Sequence, residues 1–142
     1  MPPRIRHIAF KVEDAERESA FYQQVFGYGE TRTVRHEGHG GGHVSHHLSD
    51  GLTDLTLLQY DGEHSEQADF SGPAPCIHHI GIEVEDLDAF VAAVRANGGE
   101  ILSAAGTLPV KFRSPRGPVC EVAPTGRWHA HPARSDKHRN DS

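Results

Sequence analysis

Two cysteines, one methionine and one tryptophan are all that the 142 residues hold of those types. Cys76 and Cys120 are too few for a disulfide framework and too far apart for a CxxC redox pair, so a reduced, cytoplasmic setting is expected. No apolar run approaches the roughly 20 residues that span a bilayer, and the opening "MPPRIRHIAF" lacks the apolar stretch of a secretory signal. No membrane partner is expected. Positive charge is also short: 14 Lys and Arg face 20 Asp and Glu, and a formal charge of −6 argues against a nucleic-acid partner. What is left is an ordinary globular composition, 36% apolar and 24% charged, long enough for one compact unit or two small modules sharing a core.

The abundant residue is histidine, with 12 copies. Several sit in "RHEGHGGGHVSHH" and three in the closing "HAHPARSDKHRNDS". Histidine is the commonest metal ligand, but a glycine-rich histidine stretch is more often a solvated hairpin, so position has to decide.

Position is informative because the chain repeats itself. "RHIAFKVED" at 6–14 returns as "HHIGIEVED" at 78–86, pairing His7 with His79, Val12 with Val84 and Asp14 with Asp86. In the first copy Ile8, Phe10 and Val12 alternate with His7 and Ala9, a strand with one apolar face. Asp14 caps the helix "AERESAFYQQVF", where Phe21 and Val25 share a face, and Gly27 stops it. "TRTVRH", "HVSHHL" and "LTDLTLLQY" read as three further strands. The second copy runs from "IHHIGIEV" through the Asp86-capped "LDAFVAAVRANGG" to "EILSA", "PVKFRS" and "PVCEVAP".

The expected fold is therefore α+β: two βαβββ modules related by pseudo-twofold symmetry, whose curled mixed sheets enclose a cleft. The modules occupy 1–62 and 76–125, with a linker at 63–75 and a histidine-rich tail at 126–142 expected to be disordered.

If the apolar residues of each opening strand lie under its helix, His7 and His79 face the cleft together. On "PVCEVAP", Cys120 and Val122 suit the helix side and send Glu121 inward. A carboxylate there is costly unless it is paired, with Arg113 or Lys111, or coordinated. His7, His79 and Glu121 form a three-point ligand set that leaves positions open, as in non-haem iron oxygenases. On the matching strand Asp54 and Thr56 face the cleft, and Thr56 occupies the place of Glu121, breaking the symmetry. Ala9 and Arg113 are placed at the substrate cleft with Thr56 and Asp54. Parity also turns His43, Ser45, His47 and Lys111 inward, and His47 and Lys111 are candidate acid, base or charge-stabilising groups.

The strand–helix openings, "FYQQVFG", "DGLTDLTLLQ" and "FRSPRGPVCEV" resemble the vicinal oxygen chelate superfamily over residues 4–124. That superfamily includes glyoxalase I, methylmalonyl-CoA epimerase, fosfomycin and bleomycin resistance proteins and type I extradiol dioxygenases. The resemblance implies one divalent ion (Fe, Mn, Zn, Ni or Co) on His7, His79 and Glu121, a small substrate with vicinal oxygens, and a homodimer. A fourth ligand of the glyoxalase and epimerase branches would fall at Thr56. By ligand count the resemblance therefore implies an extradiol-dioxygenase-like enzyme, ahead of a glyoxalase- or epimerase-like lyase or isomerase and of a metal-free antibiotic-binding protein.

Overall fold

A computed structural model describes residues 3–62 and 74–128. Strand β1 (Arg4–Lys11) leads into α1 (Ala15–Phe26), then β2 (Gly29–His36), β3 (His43–Ser49) and β4 (Asp54–Tyr60). The order repeats as β5 (Cys76–Val84), α2 (Leu87–Ala96), β6 (Glu100–Ile101), β7 (Val110–Arg113) and β8 (Val119–Pro124). The expected linker and tail lie outside the described residues except at 74–75 and 126–128.

Both helices start as their aspartates dictate. The Asp14 and Asp86 side chains accept hydrogen bonds from the Arg17 and Ala89 amides, satisfying donors the first turn would leave orphaned. Gly27 ends α1 at φ 72°, a left-handed conformation that costs glycine nothing. α2 stops at Ala96, and Gly98 takes the left-handed turn that follows it. β6 is shorter than the expected "EILSA" because Ser103 Oγ, not a strand carbonyl, accepts the Lys111 amide.

The strands form a single open sheet in the order β2-β3-β4-β1-β5-β8-β7-β6. β1 pairs with β4 and β5 with β8 in parallel, and β1 and β5 join the modules antiparallel at the centre. The two curled sheets are thus continuous. α1 packs against β2, β3 and β4, and α2 against β6 and β8. The core under α1 is Ala15, Leu48 and Leu57, fully buried, with Phe10, Val12, Tyr22 and Leu55 around them. Phe21 and Val25 do not join it: they are about half exposed, because α1 turns its small residues Ala15 and Ser19 to the sheet.

One irregularity positions the site. Along the β1–β5 seam the register skips one residue on each strand, Arg6 on β1 and His78 on β5. Each is the residue just before a candidate ligand, so a bulge precedes the histidine in both copies. Bulges bend a strand and re-aim the neighbouring side chains, and here the repeat carries one in each module.

Candidate metal centre and its cleft

Three adjacent strands bring the ligand set together. His7 from β1, His79 from β5 and Glu121 from β8 are each more than nine-tenths buried, and one ligand atom from each lies within 4.8 Å of the others. His7 Nε2 is 3.1 Å from His79 Nε2, and Glu121 Oε2 is 3.2 Å from His79 Nε2 and 3.9 Å from His7 Nε2. Donors at about 2.1 Å from a shared ion stand about 3.0–3.4 Å apart, so the set needs only a small adjustment to close on one.

The hydrogen bonds behind the ligands support the same conclusion. His7 Nδ1 donates to Asp54 Oδ1 at 2.7 Å, which leaves Nε2 with a lone pair. His79 Nδ1 meets His78 Nδ1 at 2.7 Å. With that proton given to His78, His79 Nε2 also presents a lone pair. In that tautomer two imidazole lone pairs and a carboxylate oxygen converge, a donor set that suits a cation. A carboxylate behind a ligating histidine is a usual means of fixing its ring and tautomer. Two nitrogens and one oxygen suit Fe, Mn, Co, Ni or Zn.

The electrostatics are tuned by burial and by neighbours. Burial pushes the Glu121 carboxyl up, but its close contacts with His79, Lys111 and His7 outweigh it and hold it well below the carboxylate range. Asp54 is likewise raised by burial and brought far lower by its bonds to His47 and His7. Burial lowers His79, against the opposing pull of Glu121. Lys111 Nζ sits against Glu121 Oε1, the oxygen turned away from the histidines. Of the two pairings open to Glu121, Lys111 is realised.

The triad opens onto a cavity of about 430 Å³. Thr56, His43, Ser45, His47 and Lys111 line it, as strand parity placed them. Ala9, Asp54 and Arg113 do not. Ala9 stands opposite Thr56 on one side and His79 on the other, and these larger side chains cover it. Asp54 is drawn behind His7 and His47 by its hydrogen bonds. Arg113 lies two residues beyond Lys111, level with Val119 instead of Glu121.

Two residues of the site escape strict alternation. His78 would face the helix side, but the bulge swings it inward, where its Nε2 is also 3.4 Å from the Tyr60 hydroxyl. The "HH" doublet was the only signal for it. Trp128, expected in the tail, is buried and lies parallel on the His7 ring at 5.1 Å. Its socket is Gly81, where a Cβ would come within 2.6 Å of the indole and 2.9 Å of His7 Cβ. The module therefore extends to at least residue 128. Arg32 and Arg127 also line the cavity, and Glu121 is the one carboxylate that lines it among the described residues.

A sequence model of the Glyoxalase/Bleomycin resistance protein/Dioxygenase superfamily matches residues 4–118. The chain is 32% identical over 120 residues to the mitochondrial methylmalonyl-CoA epimerase of Homo sapiens, covering 80% of this chain and 67% of that protein. The Bos taurus enzyme is 33% identical over 102 residues, 70% of this chain and 57% of that one. Among solved structures, a methylmalonyl-CoA epimerase in complex with methylmalonyl-CoA and NH4+ superposes with a TM-score of 0.70 at 22% identity, over 92% of this chain and 100% of that one. A variant of the Streptomyces coelicolor epimerase in complex with 2-nitronate-propionyl-CoA gives 0.68 at 23%, over 87% and 97%. The curated relatives are epimerases, so the comparisons support the isomerase alternative and give no support to the dioxygenase expectation. That expectation rested on counting ligands, and a count of three describes the ion's surroundings without fixing the reaction.

Proposed function

The chain belongs to the Glyoxalase/Bleomycin resistance protein/Dioxygenase superfamily, and from that premise we propose that it is a metal-dependent isomerase. It moves a proton at the carbon next to the carbonyl of a small anionic acyl thioester. The observation that carries this reading is the pair of proton-bearing groups on either side of the ligand triad. His47 stands directly across from Thr56 on β3–β4, and Lys111 directly across from Glu121 on β7–β8. Thr56 and Glu121 occupy matching places in the two modules, so His47 and Lys111 do too. An epimerase needs one group to remove a proton from one face of a carbon and another to return one to the opposite face.

His7, His79 and Glu121 would hold a divalent ion, and such an ion would supply Lewis-acid polarisation of the carbonyl that makes the neighbouring C–H acidic. The chain's own groups do the rest. The His47 side receives the proton on the module-one face, and the resulting imidazolium is stabilised by Asp54 Oδ2 at 3.1 Å. Lys111 holds a proton at Nζ beside Glu121 Oε1 and delivers it on the other face. The opposite epimer runs the same steps backward. Arg32 and Arg127 at the cavity wall suit an anionic substrate, and Trp128 shields His7 from water. The names of the relatives support a methylmalonyl thioester as the first substrate to try.

The test is solvent exchange. Each epimer of methylmalonyl-CoA, incubated with the chain and Co2+ in D2O, should gain one mass unit at the α-carbon, and the Glu121→Ala chain should leave it at the uncatalysed rate. No exchange by the wild-type chain with any of the five metals would contradict the isomerase reading.

A further inference from the structure

Asp54 holds two imidazoles at once. Its Oδ1 accepts from His7 Nδ1 at 2.7 Å and its Oδ2 from His47 Nδ1 at 3.1 Å. The Thr56 hydroxyl donates to Oδ1, which leaves Thr56 Oγ1 as an acceptor 2.9 Å from His47 Nδ1. Every group facing either Nδ1 atom is therefore an acceptor, and both histidines carry their proton on Nδ1. The consequence for His7 is a free Nε2 at the metal centre. For His47 it is a free Nε2 facing Ser45 Oγ at 3.1 Å.

We propose that Ser45 is the catalytic residue of the module-one wall, with His47 and Asp54 as the positioning residues behind it. The clause about catalysis rests on the isomerase reading above; the hydrogen-bond order does not. Ser45 and His47 are two apart on β3 and so share its cleft face, and both line the cavity. Asp54 comes from the adjacent strand β4, diagonal to His47. All three are more than nine-tenths buried, so little water competes for the bonds among them. His47 has both ring nitrogens committed, one to Asp54 and one to Ser45, and hence reaches a substrate through the serine hydroxyl.

The step balances. As the substrate C–H bond breaks, Ser45 Oγ takes that proton while its own proton passes to His47 Nε2. The electron pair of the C–H bond stays on the substrate, and the imidazolium rests against the Asp54 carboxylate. In the reverse direction His47 returns the proton to Ser45 as Ser45 protonates the carbon. One carboxylate thus serves both halves of the reaction: through His7 it presents a lone pair to the metal centre, and through His47 it presents one to the serine.

Two measurements test this on the full chain. Nitrogen-15 NMR of the metal-free chain reads the His47 tautomer without substrate. The expected form is Nδ1–H, with the Nε2 resonance shifted by Ser45→Ala; an Nε2–H tautomer would overturn the assignment, since that ring cannot accept the serine proton. The second is α-proton exchange in D2O on each epimer separately, with Co2+ binding checked first. Ser45→Ala should slow removal of the proton from one epimer by about a hundredfold or more, while the epimer handled by Lys111 keeps its exchange. Wild-type rates on both epimers would overturn the catalytic role. A wild-type chain that exchanges neither epimer would instead contradict the isomerase reading, and the tautomer would still decide the relay.

Discussion

The two modules share a strand, a bulge and a histidine, yet they treat their carboxylates differently. In the second, Glu121 reaches the triad itself and Lys111 stands across from it. In the first, Thr56 takes the matching place, and the carboxylate sits two residues earlier, at Asp54, behind His7. The second module has Val119 at the place matching Asp54, and His79 turns to His78 for its partner instead. On the proposed reading one carboxylate coordinates and the other orients. The difference shows how a duplicated unit builds an asymmetric site: the shared scaffold supplies two facing imidazoles, and moving one acid by a single pleat repeat divides the roles. An acid at both inner positions would put two negative charges beside one triad, a repulsion that raises the pKa of one of them.

The largest effects should come from removing the flanking pair. Lys111→Met and His47→Gln should each slow epimerisation by about 10²- to 10⁴-fold, followed by circular dichroism of the thioester, with each variant retaining exchange of one epimer. If both lose exchange of the same epimer, the two modules do not serve opposite faces. Next in size is the orienting acid. Asp54→Asn should weaken metal binding by about 10- to 100-fold in a chelator competition, whereas Val119→Ala at the matching place should change it little; equal losses would mean that Asp54 acts only through packing. Restoring the symmetry should sharpen the site. Thr56→Gln offers a fourth, uncharged donor and should tighten metal binding by roughly tenfold; unchanged affinity would place the residue 56 side chain out of reach of the ion.

The smallest effect concerns acid. Burial holds His43 down to about 4 and also lowers His36 and His79. Below the ordinary histidine range the unfolded chain therefore takes up protons that the folded chain refuses, and stability falls as the pH drops from 6.5 toward 4. Asp54 and Glu121, also depressed, add to the loss in the carboxylate range. The metal-free chain should melt roughly 5 °C lower at pH 5 than at pH 7, and a flat or rising profile would contradict the burial of these imidazoles.

Much of this was legible in the sequence because alternation and repetition are local and periodic. His7, His79, Glu121, His47 and Lys111 followed from which neighbours were apolar, and the helix limits of α1 followed from Asp14 and Gly27. The residues that escaped are those where periodicity fails. A bulge adds one residue and flips parity, so His78 was invisible to alternation. Trp128 enters from beyond the last strand, held by hydrogen bonds from Thr125 to Val84 and from Gly126 to Glu83, contacts between distant segments that no local pattern encodes. Alternation put Asp54 on the same strand face as Thr56, but its withdrawal from the cavity behind two histidines depends on side-chain hydrogen bonding. The reaction class was not legible either, since Thr56 removed the ligand that would have marked the branch.

The central claim is that the repeat delivers one histidine from each module to a single ion that only one module's carboxylate completes. Metal content of the full chain by inductively coupled plasma mass spectrometry, joined to X-ray absorption at the metal edge and set beside Glu121→Ala, tests it most directly. The account predicts one divalent ion per chain with two imidazole nitrogens and a carboxylate oxygen in its shell, lost in the variant. The same metal content and the same shell in both proteins, or an ion bound without the histidine pair, would contradict it.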